Sequence, residues 1–250
     1  MRRAAVALAA FACACAAAAL LLAGRSDEPR PRPGAPPPRG APRATPKPGV
    51  DRRGPIGAAL VRRTQLRERP GGRIVRALGK RTGYGSARVL WVVARRGPWL
   101  AVVSQYVPNS RAGWIPADSA TLLFEPYTLH VDLSERKLVV RREGRAVRRV
   151  TVAVGRPGTS TPTGRFAVTD LLRVGGGGHG AYGCCALALT GRQPNVPQGW
   201  SGGDRIAIHG TTNETTLGTA ASSGCVRAAD RDMRWLLARI PLGAPVRIRA

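Results

Sequence analysis

From residue 56 onward the chain is written as short β-prone runs, each stopped within a few residues by Gly, Pro or Asn, and that rhythm points to a mainly β fold. Runs at 73–77, 89–94, 99–104 and 113–116 are separated by turn signals such as Arg96-Gly97-Pro98 and Pro108-Asn109-Ser110. Runs 127–133 and 138–142 alternate apolar and polar residues on either side of Ser134-Glu135-Arg136. A third strand of this set is expected over 148–154. Another opens at Thr161-Pro162-Thr163-Gly164-Arg165-Phe166, and 205–208 and 246–249 follow. One stretch departs from the period of two. Met233, Leu236, Leu237 and Ile240 recur at i, i+3, i+4 and i+7, so 230–239 is predicted to be an amphipathic helix.

The chemistry concentrates in residues 206–227. A short apolar run ends on His209; a polar loop then leads to Ser222-Ser223-Gly224-Cys225-Val226-Arg227. A thiol is a strong nucleophile only as thiolate, and a neighbouring imidazole is the usual means of taking its proton. Gly210 and Gly224 let backbone and substrate approach both reactive groups, and backbone N–H groups at Gly224 and Cys225 are candidates to stabilise an oxyanion. Arg227 either holds a substrate carboxylate or braces the loop.

His-Gly-Thr followed by Ser-Ser-Gly-Cys-Val-Arg resembles the signature of the L,D-transpeptidases with a YkuD-type catalytic domain, which reads His-Gly … Ser-His-Gly-Cys-x-Arg. Ser223 stands where that family usually has a second histidine, which bears on substrate positioning and rate. The resemblance extends upstream through Leu-His-Val-Asp-Leu-Ser-Glu-Arg-Lys-Leu, Val-Ala-Val-Gly and Thr-Pro-Thr-Gly-Arg-Phe, about 120 residues in all. It implies a β-sandwich-type catalytic domain over 125–250 with one or two short helices. It also implies acyl transfer on peptidoglycan stems. Cys225 attacks the carbonyl of a diamino-acid residue and releases the terminal D-alanine; His209 is the base, oriented by the backbone of Gly210 or by the hydroxyl of Ser222; no cofactor is needed. In the family the loop matching 174–183 lies over the substrate groove. Either a flexible surface loop or a lid is therefore expected there, with Tyr182 and His179 as its candidate substrate contacts and Ser223 as another beside the thiol.

Residues 56–120, with Leu-Trp-Val-Val, Gly-Pro-Trp-Leu-Ala-Val-Val and Gly-Trp-Ile-Pro-Ala, are similar to a bacterial Src-homology-3-like barrel. Trp91, Trp99 and Trp114 read as its core or rim aromatics. Ahead of it, 25–55 is a Pro/Arg-rich linker, expected to be an extended spacer without a fold of its own. At the start, Met1-Arg2-Arg3 and an apolar run over 4–23 make 1–24 a signal peptide or a signal anchor, implying export to the cell wall.

The formal net charge is +26, almost all of it arginine. Such an excess suits an acidic partner, and export favours anionic cell-wall polymers over nucleic acid, for which no basic–aromatic motif is present. Past the leader lie Cys184, Cys185 and Cys225, an odd number for an oxidising compartment. The adjacent pair reads as small buried residues at a strand start, against the alternative of a disulfide that guards Cys225. His130, His179 and His209 show no metal-ligand spacing. Two other outcomes share the fold: an L,D-carboxypeptidase with water as acceptor, and a weak or inactive wall-binding protein, supported by Ser223 alone. A papain-like endopeptidase is disfavoured because there the cysteine precedes its histidine.

Overall fold

The computed structural model describes residues 54–174, 181–196 and 203–250. The leader over 1–24, the linker up to residue 53, and most of the expected lid, including His179, lie outside the described residues.

Seven strands form a first, wholly antiparallel sheet: β1 (Ile56–Leu60), β2 (Thr64–Arg67), β3 (Ile74–Leu78), β4 (Val89–Arg96), β5 (Trp99–Val103), β6 (Ala112–Pro116) and β7 (Ala120–Phe124), in the order β3-β2-β6-β5-β4-β1-β7. Leu66, Leu78, Leu100, Val102 and Ile115 fill its core. This sheet runs past the boundary expected at residue 120, because 120–124 pair residue for residue with 56–60. Leu122 and Leu123 are both largely exposed, so β7 lacks the alternation that would have marked it.

Ten strands follow: β8 (Tyr127–Asp132), β9 (Lys137–Arg142), β10 (Arg145–Thr151), β11 (Val154–Gly155), β12 (Gly164–Arg173), β13 (Cys185–Arg192), β14 (Arg205–His209), β15 (Ala220–Ser222), β16 (Val226–Arg227) and β17 (Pro245–Arg249). Eight of them make one sheet in the order β10-β9-β8-β17-β12-β13-β14-β16, while β11 pairs in parallel with β15. The single strand expected over 148–154 is two. Ala153 exchanges both backbone hydrogen bonds with Arg227, which draws Val154 and Gly155 away from β9 and beside β15. A second core of Leu129, Leu138, Val140, Phe166, Leu187, Leu189, Ile206 and Ile208 packs on the helix α1 (Asp230–Arg239).

Helix α1 has the bounds its period predicts. Met233 and Leu236 are fully buried, Asp230 and Asp232 lie in its first turn and Arg239 in its last, each sign complementing the helix dipole. It is the one α-helix among the described residues; two 3₁₀ turns, Ala117–Ser119 and Glu214–Thr216, are the other helical pieces. None of these helices is long and apolar enough to cross a membrane.

The two sheets meet along a seam. Trp91, expected in or around the first core, is instead buried there with Val103 and Ala167, under the guanidinium of Arg247 at 5.5 Å. Trp99 and Trp114 are half-buried.

Candidate active site

Strand β14 ends at His209, hydrogen-bonded on one side to β13 and on the other to the short parallel strand β16. Ile208 pairs with Val226 and His209 with Arg227. Cys225 directly precedes β16. Because side chains alternate along strands, the register puts His209 and Arg227 on one face, and Cys225 is two residues before Arg227. Pairing of two short strands therefore sets His209 beside Arg227, eighteen positions further on, with Cys225 at the entry to that pairing.

His209 is 3% exposed. Its Nδ1 lies 2.6 Å from the carbonyl oxygen of Gly210. A carbonyl oxygen only accepts, so Nδ1 carries the hydrogen and Nε2 keeps the lone pair of a base. Burial pushes the imidazole pKa down to about 4, the Gly210 carbonyl opposes that shift, and the nearby charge of Arg227 adds to it. At neutral pH the ring is thus an uncharged, oriented base. The edge of Tyr182 meets it, with ring centroids 4.8 Å apart and planes at 62°. Of the two orienting groups expected, the Gly210 carbonyl meets the ring.

Ser222 does something else. Its hydroxyl donates to the carbonyl of Cys225 at 2.5 Å and accepts from the N–H of Gly224 at 3.1 Å, stapling the turn that presents the thiol. Two expectations are corrected here. Ser222 braces the cysteine and not the histidine, and the Gly224 N–H is spent inside the turn instead of facing an oxyanion. Gly224 itself is required by geometry, at φ +118° and with no room for a Cβ beside the Gln193 amide. The carbonyl of Ser222 accepts from the N–H of Arg156 at 2.9 Å. Ser223 is exposed, and its carbonyl accepts from Gln193.

Arg227 is half-buried, and its Nε is enclosed without a hydrogen-bond partner among the described residues. Gln193 and Asp230 escaped notice in the sequence. The Asp230 carboxylate accepts from the N–H of Cys184 at 3.0 Å and fills the space that a side chain at Gly183 or Gly210 would need. It thereby ties the end of the 174–183 loop to the histidine turn. Cys184, Cys185 and Cys225 are all thiols. Cys185 is buried in the core, where desolvation and the neighbouring Cys184 push its thiol up to about 12; the Cys184 sulfur points to the Asp230 carbonyl at 3.6 Å. Among the described residues no three His, Cys, Asp or Glu side chains are grouped to hold a metal ion.

The sequence model of the L,D-transpeptidase catalytic domain (YkuD) matches residues 126–248. The YkuD protein of Bacillus subtilis is 30% identical over 154 residues, covering 59% of this chain and 85% of its own length. Its Bacillus licheniformis counterpart is 33% identical over 123 residues, covering 49% of this chain and 66% of that protein. Among solved structures, an L,D-transpeptidase from Mycobacterium tuberculosis H37Rv aligns with 18% identity and a TM-score of 0.43, over 65% of this chain and 72% of that one.

Proposed function

The chain belongs to the YkuD-type L,D-transpeptidase family, and from that premise we propose that it transfers a peptidoglycan tetrapeptide stem to an amine through a thioester on Cys225. The observation that carries this reading is His209: buried, neutral, and held by the Gly210 carbonyl so that Nε2 is the basic nitrogen. Nε2 takes the Cys225 proton as sulfur attacks the stem carbonyl. The C–N bond to the terminal D-alanine breaks, and the imidazolium returns that proton to the leaving amine. In the second half the acceptor amine loses a proton to Nε2, attacks the thioester and releases the thiol. The Cys225 N–H is the remaining backbone candidate to stabilise the oxyanion once Gly224 is excluded. The guanidinium of Arg227, whose Nε has no hydrogen-bond partner among the described residues, suits a carboxylate of the stem.

Export through residues 1–24, attraction of the arginines to anionic wall polymers, and a Src-homology-3-like role for residues 56–120 complete the proposal. The test is mass spectrometry of a tetrapeptide muropeptide incubated with wild type and with Cys225→Ala. A cross-linked dimer that has lost alanine, absent with the variant and reduced by more than about a thousandfold, is the expected result. Alanine loss without a dimer makes the protein an L,D-carboxypeptidase. An untouched substrate with both proteins overturns the enzyme reading and leaves a wall-binding protein.

A further inference from the structure

Gln193, the first residue past β13, is 6% exposed and holds together three segments that the reaction depends on. Its Nε2 faces the carbonyl oxygens of Thr159 at 3.1 Å, Ser160 at 3.0 Å and Ser223 at 3.3 Å. Its Oε1 accepts from the N–H of Asn195 at 3.0 Å, which fixes which way the amide points. Glutamine is seldom buried, and burying its amide is costly unless every group is satisfied. Here the satisfied amide reaches across from residue 193 to Ser223, two residues before the thiol in the chain. It bonds the Ser223 carbonyl and packs against the Gly224 backbone, so it sets the peptide plane from which Cys225 leaves the turn.

The preceding residue faces the other way, as alternation along an extended segment requires. Arg192 donates its backbone N–H to Asn109 Oδ1 at 3.0 Å and accepts at its carbonyl from Asn109 Nδ2 at 2.7 Å. Its Nε donates to the Gln105 carbonyl at 2.9 Å, and its Nη1 lies 2.7 Å from each carboxylate oxygen of Asp204. The Gln193 N–H is itself bonded to the Asp204 carbonyl at 2.6 Å. A loop of the first sheet therefore grips residue 192 at three points, and residue 193 grips the nucleophile turn.

We infer that Gln193 is a positioning residue for Cys225, and that the first sheet is part of the catalytic apparatus because Asn109 holds Arg192–Gln193 in place. This rests on the reading of Cys225 as nucleophile. The strut is short and made of directional bonds at each joint, so displacing one end moves the other; a misplacement on the order of 1 Å costs about a hundredfold in rate.

The test uses the full chain with Gln193→Ala, Asn109→Ala, their double variant, and Arg62→Ala as a control at an exposed ion pair of the first sheet. Two quantities are read: kcat and KM on the tetrapeptide, and the pH profile of Cys225 alkylation by iodoacetamide, followed peptide by peptide so that Cys184 and Cys185 are counted separately. Gln193→Ala is expected to lower kcat about tenfold to a hundredfold with KM within about twofold, and to slow Cys225 alkylation. Asn109→Ala should show the same signature at about threefold to tenfold, and the double variant should be no worse than Gln193→Ala alone. A Gln193→Ala protein that melts near the wild-type temperature with unchanged kcat and alkylation overturns the positioning role. Additive effects of the two substitutions, or an Arg62→Ala effect of the same size, overturn the strut. Should Gln193→Ala fail to fold, Asn109→Ala decides: wild-type kcat and alkylation in it overturn the inference. The alkylation readout needs no substrate, so if wild type leaves the tetrapeptide untouched while Cys225 reactivity still follows Gln193, the proposed function falls and this inference stands.

Discussion

The turn that carries Cys225 and the seam between the two sheets are both buried and polar, and they are finished differently. In the turn, the carbonyls of residues 222, 223 and 225 and the N–H of residue 224 all have named partners. The seam has loose ends. Asp170 is fully buried with one carboxylate oxygen bonded to Thr82 and the other without a hydrogen-bond partner among the described residues. Glu125, 3% exposed, occupies the space beside Gly57 and Gly243, and desolvation raises its acid to about 7. Aiming a sulfur atom needs a single geometry, so these four backbone groups of the turn are hydrogen-bonded to saturation. Keeping two sheets closed needs only contact, and the cost of burying Glu125 there is relieved by protonation.

If saturation at the site serves chemistry, removing the base should hurt turnover far more than stability. His209→Ala is expected to lower kcat by about a thousandfold, the middle of the range for a general base. The measurement is single-turnover acylation by mass spectrometry. A loss below about tenfold would mean that another group takes the Cys225 proton, and the comparison would lose its catalytic half.

The next effect is on stability, and here the two regions oppose each other. His209 has a folded pKa near 4 against an ordinary 6.5, so the unfolded chain binds more protons between those values. Its contribution is present above pH 6.5 and is lost as pH falls through about 4. Glu125 runs the other way. Its folded pKa near 7 lies above an ordinary 4.5, so its contribution is present below pH 4.5 and is lost as pH rises through about 7. Each shift corresponds to about 3 kcal/mol at most. Wild type should therefore show a nearly flat melting temperature from about pH 4.5 to 6.5. Glu125→Gln should unmask a fall toward acid, and His209→Gln a fall toward neutrality. Calorimetry across that window checks the pair; parallel profiles in all three proteins would show that neither group titrates as its surroundings dictate.

These regions also differ in how far the sequence discloses them. Strands β8, β9 and β17 and helix α1 are visible as periods of two and 3.6, because each has one face toward a core and one toward water. The His209–Gly210 and Gly224–Cys225 pairs stand out in the sequence because the proposed chemistry needs those residue types. Strand β7 is not, since its leucines face solvent. Gln193 and Asp230 are not either. Their importance comes from what stands across from them, Ser223 in one case and Gly183 with Gly210 in the other, and a neighbour in space leaves no period along the chain. The same reason explains Trp91, which reads as a barrel aromatic and becomes part of the seam only once Ala167 lies opposite.

The smallest effect is expected at Ser223, and it separates the backbone of the turn from its side chains. Gln193 holds the carbonyl of this residue, while the side chain is exposed. An exposed substitution that leaves the backbone bond intact changes stability by no more than about 0.5 kcal/mol. Ser223→His, which restores the family's residue, should therefore melt with wild type. It should also raise kcat/KM by less than about tenfold, through contacts to substrate alone. Gln193→Ala makes the complementary change, removing the grip on the same residue's carbonyl while leaving its side chain in place. If Ser223→His changed the rate by more than a hundredfold, the side chain and not the backbone would be the controlling element of the turn. The division drawn between a saturated turn and a permissive surface around it would then be wrong at the position nearest the thiol.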